Sequence, residues 1–172
     1  MKKSNIVLIG FMGSGKSLVA RTLHEKLGWP MFSTDNLIEE REKRSISEIF
    51  EKSGEAYFRR LEHEIVKGLS QKQNVIIDCG GGVVLNSDNI KLLKEKGVIF
   101  YLKASPEVIY ERIKNEKHRP LLGAKDPLES IRNLINQRQP LYEQADYVVD
   151  ANDKSVLVLV EKILKRMNDS HE

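Results

Sequence analysis

Residues 10–17 read Gly10-Phe11-Met12-Gly13-Ser14-Gly15-Lys16-Ser17, a full G-x-x-x-x-G-K-[ST] match. The apolar run Asn5–Ile9 precedes it and a helical pattern over Ser17–Leu27 follows. That strand, loop and helix order is the context the motif requires. Small residues let consecutive backbone N–H groups curl around phosphate oxygens, and the helix start behind them favours negative charge. Lys16 would then reach the β- and γ-phosphates, and the Ser17 hydroxyl would ligate Mg²⁺. The bland alternative is a glycine-rich turn that happens to precede a lysine.

Outward from the loop, apolar runs alternate with amphipathic stretches, which argues for βα units around a mostly parallel sheet. The candidate strands are Asn5–Ile9, Met31–Ser33, Val75–Asp78, Val98–Leu102 and Asp146–Asp150. Helical patterns cover Ser17–Leu27, Asn36–Glu42, Ile46–Ser70, Ser87–Glu95, Pro106–Asn115, Pro127–Tyr142 and Lys154–Met167. Gly54 is expected to split the long third segment, and Pro140 to end or kink the helix carrying Arg138. Ser45-Ile46-Ser47-Glu48 fits a capping box. Ser105-Pro106 and Asp126-Pro127 each place a cap residue before a proline at the first helical position. Without repeats, low-complexity stretches or a linker, residues 1–172 read as one α/β domain.

Composition narrows the classes. The 172 residues carry 28 Lys+Arg and 25 Asp+Glu, a formal charge of +3, with 40% hydrophobic and 31% charged residues. Such a chain is an ordinary globule with no basic tract of the kind nucleic-acid binders carry. The mild positive balance suits small anionic ligands. A single cysteine, Cys79, excludes an intramolecular disulfide framework and fits a reducing compartment. No apolar run approaches the roughly 18 residues needed to span a bilayer. Met1-Lys2-Lys3 imitates a signal n-region, but the apolar stretch after it is short and soon meets Lys16, so a cytoplasmic protein is expected. The four histidines show no metal-ligand spacing.

Four further features bear on the acceptor. Ser33-Thr34-Asp35 ends the second strand, where α/β sheets gather ligand-binding groups. Asp35 there could orient or deprotonate a hydroxyl, or it could be only a helix N-cap. In Phe58-Arg59-Arg60-Leu61-Glu62 adjacent helical residues point about 100° apart, so one arginine at most faces a site, and a solvated face is the plainer reading of the pair. Gly80-Gly81-Gly82 follows the third strand and implies either φ > 0 or close backbone approach to a ligand, against a simple tight turn. Arg119, in Arg119-Pro120-Leu121-Leu122-Gly123, lies in a polar connection that could close over the phosphate loop and exclude water. Arg138, before Pro140-Leu141-Tyr142, is unremarkable alone.

In this order and spacing the features resemble the shikimate kinase family from Asn5 to about Ile163. The resemblance implies a three-layer α/β/α P-loop kinase with a five-stranded parallel sheet of order 2-3-1-4-5 and a mobile lid over about 115–126. It implies ATP-dependent, Mg²⁺-assisted phosphorylation of the 3-hydroxyl of shikimate; separately, the sequence shows no partner surface, and a monomer is expected. Gly13, Ser14, Gly15, Lys16, Ser17, Leu18, Arg112, Arg119 and Lys154 would hold the nucleotide. Asp35, Arg59, Glu62, Gly80, Gly81, Gly82 and Arg138 would hold shikimate, Arg59 and Arg138 binding its carboxylate and Glu62 orienting them. Lys16, Asp35 and Arg119 would carry catalysis. Planar, bidentate guanidinium groups suit a carboxylate better than lysine does.

The chain departs from the family's pattern in places. Ser33 stands where an aspartate usually precedes the substrate-binding acid, and Asp78 stands where a serine usually precedes the triplet. The two changes run in opposite directions, so Asp78 with Ser17 is the expected metal site, the carboxylate lying near the water shell of Mg²⁺. Lys154 lies where many relatives carry an adenine-contacting arginine, and Cys79 replaces a usual threonine and is expected to pack. Another small-molecule P-loop kinase, such as a gluconate kinase, or a non-catalytic P-loop module would share the phosphate loop.

Overall fold

The computed structural model describes residues 3–116, 125–152 and 155–169. Five strands, β1 (Asn5–Ile9), β2 (Met31–Ser33), β3 (Ile76–Asp78), β4 (Gly97–Lys103) and β5 (Tyr147–Asp150), form one sheet of order β2-β3-β1-β4-β5. Every pairing is parallel, with Ile6 beside Ile76 and Val98 across the centre. β1 is buried at all five positions, as a central parallel strand covered on both faces must be. This is the sheet the resemblance implies.

The helices are α1 (Lys16–Leu27), α2 (Thr34–Glu42), α3 (Ile46–Ser53), α4 (Glu55–Ser70), α5 (Ser87–Lys96), α6 (Pro106–Ile113), α7 (Pro127–Tyr142) and α8 (Val156–Asp169). Gly54 divides α3 from α4 as expected, with φ of 83° and its N–H bonded back to Ile49 and Phe50. The capping box is complete: Ser45 Oγ accepts from Glu48 N, and the Glu48 carboxylate accepts from Ser45 N at 3.0 Å. Three features differ from expectation. α2 begins two residues early because Ser33, not Asp35, is its N-cap, its hydroxyl accepting from Asn36 N at 3.3 Å. α7 runs through Pro140 to Tyr142, so the proline does not end it. A 3-10 turn over Val83–Leu85 follows the glycine triplet, where no element was expected.

Parallel strands put their carboxyl ends on one edge, and there the phosphate loop, Thr34-Asp35 and Gly80–Gly82 follow β1, β2 and β3. A cross-link fixes two of these segments together. Gly80 N donates to Thr34 Oγ1 at 2.8 Å, and Thr34 is fully buried. Among the described residues no helix is long and apolar enough to cross a membrane. Thr34→Val keeps the shape of the side chain but strands a buried N–H, which costs about 1–3 kcal/mol. The denaturant midpoint should fall accordingly at unchanged m-value; an unaltered midpoint would show that the cross-link contributes nothing.

Candidate active site

α1 opens on Gly15 with φ of 96°. The Lys16 ammonium folds back over the loop, donating to Gly10 O at 2.8 Å and Phe11 O at 3.0 Å. Ser17 Oγ donates to Asp78 Oδ2 at 2.6 Å, so the hydroxyl and carboxylate expected at a metal already sit against each other. Asp78 is buried, and burial pushes its carboxyl above the ordinary range against the opposing pull of the Ser17 hydrogen bond and Lys16. Ser33 and Asp78 are lateral partners in the β2–β3 register. Leu18 is half-exposed beside the loop.

A cavity of about 340 Å³ runs from this loop, past Ser33, Asp35 and Asp78, to Gly80 and Gly81. Asp35 is the acid of its far wall. Burial raises its carboxyl above the ordinary value, with Lys16 opposing and Asp78 reinforcing the rise. The triplet beyond it is glycine for reasons of space. A Cβ on Gly80 would overlap Asp35 Oδ1, and one on Gly82 would overlap both terminal nitrogens of Arg59. None of the three has positive φ, so close approach is the operative constraint, and what approaches is the protein's own side chains.

The Gly80 amide is taken by Thr34; Gly81 lines the cavity, while Gly82 is buried beneath the Arg59 guanidinium. Tyr142 Oη donates to Gly81 O at 2.5 Å, and Arg138, one helical turn earlier on α7, reaches the same carbonyl at 3.5 Å. The Arg138 guanidinium lies 6.0 Å from the Phe11 ring centre, next to the phosphate loop. Tyr142 is fully buried, and no feature of the sequence marked it apart from its i+4 spacing from Arg138.

Of the arginine pair on α4, Arg59 faces the site and Arg60 lies over the Tyr57 ring, as helical geometry requires. Arg59 Nη1 donates to Glu62 Oε1 at 2.9 Å, and Nη2 reaches Glu55 at 3.3 Å. Glu62 is wholly buried, and its Oε2 has no hydrogen-bond partner among the described residues. Burial therefore raises its carboxyl, with Arg59 and then Arg138 pulling the other way. Arg112, on α6, braces the nucleotide end: it donates to Gly13 O at 3.2 Å, Ser14 O at 3.3 Å and Ala151 O at 2.8 Å. Cys79 packs in the core, and burial pushes its thiol well above the ordinary value. Arg119, Lys154 and most of the expected lid lie outside the described residues.

The site thus has a cationic, amide-rich end for phosphates and, beyond a central carboxylate, a second end where Arg59 and Arg138 pack against the glycine turn. Such a layout can hold two anions in line across a shared hydroxyl acceptor.

The family model described as Shikimate kinase matches residues 12–168. A shikimate kinase of Thermodesulfovibrio yellowstonii is 47% identical over 161 residues, 94% of this chain and 93% of that protein. One from Caldanaerobacter subterraneus subsp. tengcongensis is 46% identical over 94% of each chain. Among solved structures, shikimate kinase from Acinetobacter baumannii in complex with shikimate superposes with a TM-score of 0.91 at 34% identity, covering 97% of this chain and 94% of that one.

The buried Glu62 makes stability depend on pH with a defined sign. Its carboxyl titrates higher in the folded protein than the ordinary 4.5, so the native state holds the proton more tightly than the unfolded chain. Its effect on stability is most favourable below that ordinary value and worsens as pH rises through the window up to the raised native value. Melting temperatures measured from about pH 4.5 to pH 7 should fall more steeply for the wild type than for Glu62→Gln. Parallel curves would remove Glu62 from the pH response.

Proposed function

The chain belongs to the shikimate kinase family, and from that premise we propose how its site carries a phosphoryl group from ATP to the 3-hydroxyl of shikimate. The observation that carries the reading is the single cavity joining the phosphate loop to Asp35 and the glycine triplet. The loop amides, Lys16 and Ser17 take the nucleotide phosphates, with Gly13, Ser14, Gly15 and Leu18 lining its path. Lys16 already points its ammonium along the loop, so reaching a phosphate exchanges two carbonyl contacts for an anionic one. Arg112 holds the loop to the chain after β5, where Lys154 would meet the base, and Arg119 would close from the lid onto the transferring group.

At the other end, Arg59 and Arg138 bind the shikimate carboxylate. Glu62 supports this by holding the Arg59 fork from behind, and Tyr142 by fixing the carbonyl that Arg138 also reaches. The Gly81 amide and Asp35 take the hydroxyls. Asp35 chiefly orients the acceptor oxygen, because a loose phosphoryl-transfer transition state makes little demand for early deprotonation. Its burial between Lys16 and the triplet suits that task.

Ser17 and Asp78 fit a divalent cation: they offer two oxygens in contact beside the phosphate loop, one from a buried carboxylate. No group of three His, Cys, Asp or Glu among the described residues could hold a metal alone, which suits Mg²⁺, an ion that takes few protein ligands beside phosphate oxygens and water. When bound, Mg²⁺ neutralises phosphate charge. Asp78 stands laterally beside Ser33, so a carboxylate at either position lies within about 4.8 Å of the other across the strand pair. That geometry supports Asp78 as the replacement for an acid at position 33.

Two measurements test these assignments. Coupled ADP release should depend on shikimate and be absent with gluconate or nucleoside monophosphates; shikimate-independent turnover would overturn the reading. Asp78→Asn should weaken Mg²⁺-dependent ATP binding in calorimetry by about tenfold, the scale of losing one charged contact. Adding Ser33→Asp should restore most of it. A double variant as weak as the single one would end the proposal that the carboxylate has moved.

A further inference from the structure

Behind the triplet lies a buried polar contact that none of the roles above uses. Asn89, in the first turn of α5, is fully buried and spends its side chain in two directions. Its Nδ2 donates to Val83 O at 3.1 Å, and its Oδ1 lies 2.8 Å from His63 Nδ1 on α4. With the amide NH₂ committed to Val83, the oxygen must face His63, so His63 Nδ1 carries the proton and donates. The Asn86 Nδ2 that stands 3.5 Å from the same nitrogen is therefore a neighbour and not a donor to it.

Val83 directly follows the triplet. Its N–H donates to Gly80 O at 3.1 Å and closes the turn over Gly80–Val83, while its carbonyl is the group that Asn89 holds. The turn is thus tied at its entrance to Thr34 and at its exit to Asn89. His63 is four residues after Arg59, so both project from one face of α4. Arg59 fills the space over Gly82, and His63 grips the residue that anchors the turn's exit.

Resting on the function proposed above, we propose that His63 and Asn89 are positioning residues for the acceptor end of the site. They latch α4, which carries Arg59, to the glycine turn that Arg59 covers at Gly82 and that lines the cavity at Gly81. Guanidinium and glycine turn thereby keep one spacing, so that a ligand's carboxylate can meet Arg59 while its hydroxyls meet the turn. The phosphate loop is held separately, by α1 and the Arg112 brace, and lies outside the latch.

The test compares His63→Ala with His63→Asn, whose amide nitrogen can stand where Nδ1 stood. His63→Ala should raise the KM for shikimate about fivefold, the scale of one buried hydrogen bond, with the KM for ATP within about twofold of wild type. His63→Asn should return the shikimate KM close to the wild-type value. A merely structural role predicts the opposite ranking, because alanine is the better helix former at this mid-helix position. Asn89→Asp, which keeps the acceptor for His63 but cannot donate to Val83, should behave like His63→Ala; if it fails to fold, the His63 pair still decides. Equal rises in both KM values, a lowered melting temperature with unchanged kinetic constants, or no rescue by asparagine would each overturn the latch. Wild-type enzyme assayed alongside separates the two claims: without shikimate-dependent ADP release, the functional reading fails first and takes the latch with it.

Discussion

The acceptor end of this molecule depends on two places where no side chain can stand. A Cβ on Gly80 would overlap the Asp35 carboxylate, and one on Gly82 would overlap the Arg59 guanidinium. Space left empty on one backbone segment is filled by functional groups from two others, α2 and α4. Two charged groups of opposite sign thus close on the Cα positions of the turn without a strained dihedral, since none of the triplet has positive φ. The closeness has to be maintained, and the hydrogen bonds around the turn serve that end. Thr34 holds its first amide, Tyr142 its middle carbonyl and Asn89 the carbonyl just beyond it.

The same crowding explains the electrostatics. Asp35, Glu62 and Asp78 all lie in or against the site, and burial raises all three carboxyls. Each faces a cation or a hydroxyl that limits the rise: Lys16 for Asp35, Arg59 for Glu62, Ser17 for Asp78. Buried charge of this kind is unfavourable unless paired, and the pairing is incomplete, with Glu62 Oε2 left without a partner among the described residues. A fold selected for stability alone would replace these groups with apolar ones of similar volume. Their presence fits a site that gains from binding anions at both ends.

Much of this was legible in the sequence because the signals are local. The phosphate loop carries its own spacing, all five strands appear within a residue or two of their expected bounds, and Gly54 breaks the long helix where its conformation demands. The triplet announced a close approach, though its partners proved to be side chains of the protein. What stayed hidden depends on contacts between distant segments. Asp35 looked like a cap because it precedes a helical run, yet Ser33 takes that place and frees the carboxylate for the cavity. Tyr142, Thr34 and Asn89 are ordinary residues in ordinary helices until the fold carries each of them to one turn. Pro140 misled for the opposite reason: only two residues of α7 follow it, so the bond it removes is one of the last the helix makes.

The parallel sheet explains why so few residues suffice. β1, β2 and β3 are neighbours, and their carboxyl ends deliver the loop, the acid and the triplet to one edge within two strand spacings. In such a register positions 33 and 78 lie side by side, and the carboxylate at 78 meets the Ser17 hydroxyl beside the phosphate loop. Ser33 caps α2 through its hydroxyl, which starts the helix at Thr34 and leaves Asp35 to line the cavity. Asp78 sets a buried carboxylate against the phosphate loop, and Ser33 sets the helix start from which Asp35 enters the cavity.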